Sequence, residues 1–256
     1  MSDDKLIADP SNREELIDWL DIIHNQVYDL EMNRFMFKSV WKVIEENEEL
    51  RKRPSHFYGW FRSLYAQAMA MAIRRLCDND PRTVSLVRFL TFVKKDPSVI
   101  SREAYGSLFA ADTVSHPGLP AEVKTLLRER IINSGYDSTV GEGVLQPRGK
   151  DLGKEIGELK RLADEILEYA TKRIAHFDKE PPSVEPTLEA IDTVIDHASE
   201  IVQKYMLLLK AVSTEMGVHF QYDWLAPFRI AWISEPEWFQ RLKERQAGIA
   251  AGDTFR

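Results

Sequence analysis

Apolar residues spaced alternately by three and four positions recur in long stretches of this chain, and such spacing places them on one face of an α-helix. The clearest stretch covers residues 187–212 and carries Leu188, Ile191, Ile195, Ala198, Val202, Tyr205, Leu209 and Val212. A second stretch, ending at residue 178, carries Leu152, Ile156, Leu159, Ala163, Ile166 and Ala170. Because a short proline-containing connection joins them, the two stretches predict an antiparallel helical hairpin.

The N-terminal part of the chain predicts two more helices. Ser11 or Asn12 can cap the first, whose apolar face continues to about Leu50. Ser55 can cap the second, which we expect over residues 57–77. Its packing face is predicted to consist of Phe57, Phe61, Leu64, Ala68 and Met71.

The middle of the chain shows shorter helical patterns, at residues 84–93, 101–109 and 121–132. Residues 133–149 contain four glycines and one proline, which predicts a loop. Few stretches alternate in the manner of β-strands. We therefore expect an all-α fold, a helical bundle with a long antiparallel hairpin.

Length and composition indicate one soluble domain, with 256 residues of which 44% are hydrophobic and 29% charged. We expect a bundle core at about residues 12–213, and an irregular aromatic tail, residues 214–256, that packs on it. No segment is long and apolar enough to span a membrane, and the acidic amino terminus is unlike a signal peptide. With Cys77 as the single cysteine, no internal disulfide is expected, and a cytoplasmic location is the default.

Charge is distributed unevenly along the chain. The net charge of −7 argues against a surface built for duplex DNA. Residues 51–103, in contrast, contain eleven basic and four acidic side chains, a local net charge of +7. This asymmetry is compatible with a local anionic ligand and equally with a solvated helix surface.

Two of the predicted packing faces end in basic residues. The face of the 57–77 helix continues into Arg75, with Arg74 beside it and Asp78 one turn further on. The face that passes through Ala170 continues into Arg173. Around that arginine lie Tyr169, Lys172, His176 and Asp178.

Two interpretations of these helix ends remain open. Cleavage of a phosphodiester without a metal needs a histidine that moves protons and cations that neutralise the charge developing on phosphate, and His176 with Arg173 can supply both. The alternative is a structural Arg–Asp network that fastens the helix ends, for example Arg75 with Asp178 or Arg173 with Asp78. The remaining histidines and the lone cysteine show no metal-ligand spacing, so neither a metal nor a cofactor is expected.

Three segments of the sequence look familiar: MAIRRLCDNDPRTVSLVRFL (71–90), KRIAHFDKEP (172–181) and QYDWLAPFRIAWI (221–233). Together they resemble a bacterial HEPN-like family named after an abortive-infection, or phage-exclusion, protein of the U type. The resemblance covers about residues 15–233. It implies a helical bundle that is often dimeric, and an endoribonuclease that works without metal in toxin–antitoxin or antiviral systems.

The spacing of the site departs from that family's signature, an arginine followed after four to six residues by a histidine. Here only two residues separate Arg173 from His176. His176 therefore matches the family's histidine, whereas Arg173 matches its arginine only loosely. Either Arg74 or Arg75 supplies the phosphate-binding arginine, or this branch has lost catalysis.

We accordingly predict an endoribonuclease of a phage-defence or toxin–antitoxin type, with RNA as its substrate and a second copy of the chain as its partner. The predicted catalytic residues are His176, Arg173, Arg75 and Asp78, the phosphate-binding residues are Arg74 and Lys172, and the supporting residues are Tyr169 and Asp178. The alternative is a non-catalytic HEPN-like protein that binds a partner, a nucleotide or RNA. Neither a membrane nor duplex DNA is an expected partner, and the sequence does not specify a neutralising partner.

Overall fold

The computed structural model of the protein describes residues 10, 12–52, 55–110, 118–175, 179, 182, 184–218, 220–229, 242 and 244. These residues form helices and connecting segments without a β-strand, which confirms the predicted all-α class. The α-helices are α1 (Arg13–Glu46), α2 (Glu48–Arg51), α3 (His56–Leu76), α4 (Leu86–Lys95), α5 (Arg102–Gly106), α6 (Ala121–Val140), α7 (Gly149–Tyr169) and α8 (Leu188–Lys210). Short 3-10 turns cover Pro97–Ile100 and Ala226–Arg229, and a π-helical turn covers Ala170–Ala175.

Helices α1, α3, α7 and α8 form a four-helix bundle in which α1 packs on α8, α8 on α7, α7 on α3 and α3 on α1. Side-chain contacts fix the direction of the α1–α8 pair. Asp21 near the start of α1 pairs with Lys210 at the end of α8, and Arg34, further along α1, pairs with Asp196. The two helices are therefore antiparallel, as is usual for an up-and-down bundle.

The predicted hairpin of α7 and α8 is confirmed. Near the start of α7, Glu155 accepts hydrogen bonds from Lys204 at 2.9 Å and from the hydroxyl of Tyr205 at 2.7 Å, both late in α8. One turn further along α7, Glu158 lies in the electrostatic range of His197, which is earlier in α8. The residue numbers in contact increase along α7 while they decrease along α8, so the two helices are antiparallel.

The core consists of the apolar faces of these helices. Helix α8 buries Ile191, Val194, Ile195, Ala198, Ile201, Val202, Tyr205, Leu208 and Leu209, and α7 with its π-helical turn buries Leu152, Leu159, Ala163, Ile166 and Ala170. The two predicted faces are thus confirmed except at Val212, which lies beyond the end of α8 and is exposed, while Ile156 and Leu188 are half-buried. Each fully buried aliphatic side chain contributes about 1.5–3 kcal/mol relative to its exposed state, which makes these faces the main source of stability.

The predicted packing face of α3 is wrong. Phe57, Leu64 and Ala68 are exposed. Phe61, whose ring contacts Phe37 of α1, and Met71, which packs against the core, are half-buried. The buried residues of α3 are Met69, Ala70, Ile73 and Leu76. Periodicity shows that a helix has an apolar face, but it does not show which of two apolar faces meets the core.

Two helix boundaries also differ from expectation. The first helix is broken at Asn47, whose extended backbone ends α1 before the single turn of α2. The predicted loop at 133–149 begins as helix, because α6 extends to Val140. Tyr136 explains this extension, since it is fully buried and its hydroxyl donates to the carbonyls of Ile100 and Leu145. Tertiary packing overrides the turn-forming residues around it.

Caps agree with the sequence. The side chains of Asn12, Ser55, Ser101 and Thr187 each accept a hydrogen bond from a backbone N–H in the first turn of α1, α3, α5 and α8 respectively. Each cap satisfies one of the otherwise unpaired N–H groups at a helix start, worth about 1 kcal/mol.

The chain divides into two compact units, residues 1–218 and residues 219–256. In the second unit the described residues form a small aromatic cluster, in which the Phe220 ring contacts Tyr222 and Trp224, and Trp224 meets Phe228 edge-on. That this tail packs on the bundle stays a prediction. Among the described residues, no helix is both long enough and apolar enough to cross a bilayer.

Candidate phosphate-binding site

The last turn of α3 carries Arg74 and Arg75. Cations at this position interact favourably with the negative end of the helix dipole, so the fold alone gives a reason for them. Arg74 is half-buried, whereas Arg75 is exposed and lines a groove of about 510 Å³ between α1 and α3. The polar residues that α1 contributes to the lining of this groove are Gln26, Asp29 and Asn33.

Asp78 belongs to the turn that follows α3. Its carboxylate accepts a hydrogen bond from the backbone N–H of Asp80, and its carbonyl accepts one from the hydroxyl of Ser85, which also caps α4. This is the Asx-turn arrangement typical of aspartate at a chain reversal. The geometry therefore gives Asp78 a structural role, and its predicted catalytic role stays a prediction.

The remainder of the 71–90 segment is held by Arg88. Its guanidinium donates to the carbonyls of Pro81 and Thr83 and lies over the ring of Trp19, 4.7 Å from the ring centre. A cation packed on an indole and bonded to two carbonyls fixes the turn against α1. Residues 71–90, one of the three segments that carry the family resemblance, thus contain an arginine with a structural role.

The second basic segment begins where α7 changes its geometry. At Ala170 the helix widens into the π-helical turn Ala170–Ala175. Hydrogen bonds that span five residues insert one extra residue into the helix, so later residues are rotated by roughly one residue, about 100°, relative to a straight α-helix. Such turns are rare and occur frequently at functional sites. No pattern in the sequence predicts this π-helical turn.

The π-helical turn carries two of the predicted phosphate ligands. The Nζ of Lys172 lies 2.8 Å from Oε1 of Glu168, one turn earlier, and Arg173 is half-exposed. Tyr169, predicted to support the site, packs against the core. His176 and Asp178 lie outside the described residues, so their predicted roles stay predictions.

The position of Cys77 shows how the two basic segments are placed. Burial raises the pKa of the Cys77 thiol to about 11, and the positive charge of Lys160 partly offsets this rise. Because this effect requires the two side chains to be close, Lys160 of α7 lies near the end of α3. From Lys160 to Ala170 the helix advances by about 15 Å, yet the π-helical turn still contacts α3. Helix α7 therefore runs back along α3, and the π-helical turn lies toward its N-terminal, aromatic half.

Because α7 runs back along α3, the cations at the end of α3 are separated from those on the π-helical turn. Arg75 lies at the C-terminal end of α3 in the groove toward α1, whereas Arg173 lies on the turn at the other half of α3. We infer a separation on the order of 15 Å along the helix axis. Within one chain, the fold brings Lys172 together with Arg173, and Arg74 together with Arg75, but keeps the two pairs apart.

Sequence reasoning missed a cleft of about 550 Å³ beside the α7–α8 pair. Its titratable lining includes Glu155, Glu158, His197 and Lys204. The carboxylate of Glu155 and burial together raise the pKa of Tyr205 well above its usual range, burial being the larger cause. No local motif predicts this cleft, because its lining comes from α6, α7, α8 and the segment between α6 and α7, which are far apart in sequence.

The helical bundle is the architecture of a HEPN-like domain. The family model HEPN_AbiU2, described as AbiU2, matches residues 13–230, and the chain belongs to this family. This match confirms the resemblance found in the sequence. Searches of curated proteins and of solved structures returned no match.

Proposed function

We propose that this protein is a metal-independent endoribonuclease of abortive infection that acts in the cytoplasm as a homodimer. The family match supports the defence context. The observation that carries the proposal is the π-helical turn that holds Lys172 and Arg173 and leads directly into His176. A rare helical turn that carries two cations and is followed in the sequence by a histidine suits a site for a phosphodiester.

The proposed chemistry uses the RNA 2′-hydroxyl as nucleophile. His176 accepts the proton of that hydroxyl while its oxygen bonds to phosphorus, and the bond from phosphorus to the 5′-oxygen breaks. The departing oxygen takes up a proton, and the products are a 2′,3′-cyclic phosphate and a 5′-hydroxyl. Arg173 and Lys172 neutralise the charge that grows on the phosphate oxygens.

The experiment tests whether the RNA 2′-hydroxyl is the nucleophile. We expect the purified protein to cleave single-stranded RNA in the presence of EDTA and to leave the same sequence intact when its 2′-oxygens are methylated. Cleavage of the methylated strand, or cleavage only after a divalent metal is added, contradicts the proposal.

A second candidate function is binding of RNA or a nucleotide without cleavage. It is favoured by the two-residue spacing between Arg173 and His176 and by the ion pair that occupies Lys172. Expression in a bacterial host separates the two functions. An active ribonuclease slows growth and His176→Ala relieves the effect, whereas a binding protein gives equal growth with both forms.

A further inference from the structure

The first half of α3 carries two aromatic rings that the bundle leaves in contact with solvent. Phe57 and Trp60 are 52% and 57% exposed. They belong to one cluster, because the centre of the Phe57 ring lies 5.7 Å from that of Trp60 and 5.9 Å from that of Phe61. Exposed rings grouped in this way mark interaction sites more often than isolated ones do. We call Phe57 and Trp60 the aromatic platform.

The aromatic platform is supported by the rings beneath it. Phe61 contacts Phe37 of α1, with ring centres 5.3 Å apart. Phe37 is only 6% exposed, and its ring is stacked on that of Tyr65 at 3.9 Å. The exposed rings therefore rest on rings that are anchored between α1 and α3. A ring supported in this way loses little conformational freedom when a ligand stacks on it, so binding costs less entropy.

The charge around the aromatic platform is positive. Residues 51–77 contain six lysine or arginine residues and no acidic one, and Arg62, two residues after Trp60, is exposed. The carboxylates that precede this stretch belong to α1 and α2, and Glu48 among them is paired with Lys52 at 2.7 Å. A ligand that complements this surface therefore combines flat rings with negative charge.

The aromatic platform lies on the half of α3 toward which the π-helical turn packs. From Lys160 to Arg173 the helix advances by about 18 Å, and the same distance back from Cys77 along α3 reaches about residue 65. Trp60 lies about 7 Å beyond that level. It is also about 100° around the helix axis from Phe61, so it is turned away from α1. A ligand held by the turn can therefore extend onto Trp60.

We infer that the aromatic platform stacks a base of single-stranded RNA next to the phosphate that the π-helical turn is proposed to hold. The inference rests on the proposed function, which identifies the ligand as RNA. Proteins that bind single strands combine aromatic side chains, on which bases stack, with cations that follow the backbone. Trp60 is the principal stacking residue because its ring is the larger and the more exposed of the two.

The chemistry of this surface favours an unpaired strand over other occupants. An apolar partner would cover the rings and leave the basic residues of the 51–77 segment without counter-charge. A small anion would neutralise the cations and leave the rings uncovered. A duplex offers phosphates, but its bases are already stacked on one another. Only unpaired nucleotides bring both a phosphate and an accessible base to the same place.

Fluorescence anisotropy with a labelled, 2′-O-methylated RNA strand measures binding without cleavage. We expect Trp60→Leu, which removes the ring but keeps an apolar side chain, to lower the affinity at least about fivefold, the lower end of the contribution of one stacked base. Trp60→Phe keeps a ring and should retain most of the affinity. Leu126→Ala is the matched control, because Leu126 is 64% exposed on α6, and this variant should bind as the wild-type protein does.

An abasic strand of the same length separates stacking from charge, because it keeps the phosphates and lacks the bases. The wild-type protein should bind it more weakly than the complete strand, and Trp60→Leu should bind it as the wild-type protein does. Circular dichroism verifies the helical content of each variant. Equal losses for Trp60→Leu on the two strands would show that residue 60 does not act by stacking, and would overturn the inference.

The outcomes for the aromatic platform and for the proposed ribonuclease are distinguishable. RNA binding that depends on Trp60, in a protein that does not cleave RNA in EDTA, supports the platform and contradicts the ribonuclease. Cleavage in EDTA together with wild-type affinity in Trp60→Leu overturns the platform alone, as does a wild-type protein that does not bind the methylated strand. A Trp60→Leu protein with wild-type RNA affinity and a lower mass on sedimentation assigns the surface to a protein partner and overturns the inference.

Discussion

The ammonium group of Lys172 lies 2.8 Å from the carboxylate of Glu168, so a predicted phosphate ligand already holds an anionic partner within its own helix. Both side chains are 28% exposed, which leaves them accessible to a competing phosphate. An RNA phosphate that engages Lys172 has to displace Glu168. Glu168 would therefore compete with an RNA phosphate for the ammonium group of Lys172.

We predict that Glu168→Gln raises the affinity for single-stranded RNA by roughly two- to fivefold, because it releases Lys172 and removes a nearby negative charge. Fluorescence anisotropy with a labelled RNA measures this change. Glu165→Gln, one turn earlier and exposed, is the matched control and should leave the affinity nearly unchanged. Equal affinity of the Glu168→Gln and wild-type proteins for RNA would show that Lys172 does not contribute to RNA binding.

The contact between α1 and α8 depends on Arg34. Its guanidinium lies 2.6 Å from both Glu31 and Asp196 and 4.0 Å from Asp192. We predict that Arg34→Ala lowers the free energy of unfolding by about 2–3 kcal/mol, because it leaves partly buried carboxylates without their shared cation. Urea unfolding measures the loss.

The control for this variant is Arg161→Ala. Arg161 also forms a bidentate pair, with Glu158, but its side chain is 66% exposed, and solvent screens such pairs. We expect the urea midpoint of this variant to stay close to that of the wild-type protein. Similar losses for the two variants would show that the Arg34 cluster has no special role in the bundle.

Cys77 should be unreactive in the folded protein. Burial raises the pKa of its thiol to about 11, so at pH 8 only about one molecule in a thousand carries the reactive thiolate. We expect a thiol-specific reagent to modify wild-type protein slowly at pH 8, and rapidly once urea unfolds it. A Ser63→Cys, Cys77→Ala variant, whose thiol is exposed on α3, should react at once. Fast modification of native Cys77 would show that the end of α3 opens readily.

The sequence predicted the hairpin and the helix caps because these depend on local chemistry. The apolar residues of α8 follow one another without interruption, and Asn12 and Ser55 stand directly before the helices that they cap. It misassigned α3 because that helix has two apolar faces, and the longer one, Phe57 to Met71, is not the one that meets the core.

The candidate site was predictable only in part. The basic residues at the ends of α3 and α7 are evident in the sequence, but their separation depends on which way α7 runs along α3. The π-helical turn is likewise set by packing, because Ala170 and Ile174 on either side of Arg173 both contact the core. No single residue type marks such a turn.

The most direct measurement is the rate at which His176→Ala cleaves single-stranded RNA in EDTA, compared with wild-type protein at matched concentration and matched helical content. Because removal of a general acid–base group costs about 100-fold or more, we predict that the variant retains at most about 1% of the wild-type rate while binding RNA with similar affinity. A variant that cleaves RNA at the wild-type rate would contradict the assignment of His176 and, with it, the proposed ribonuclease site.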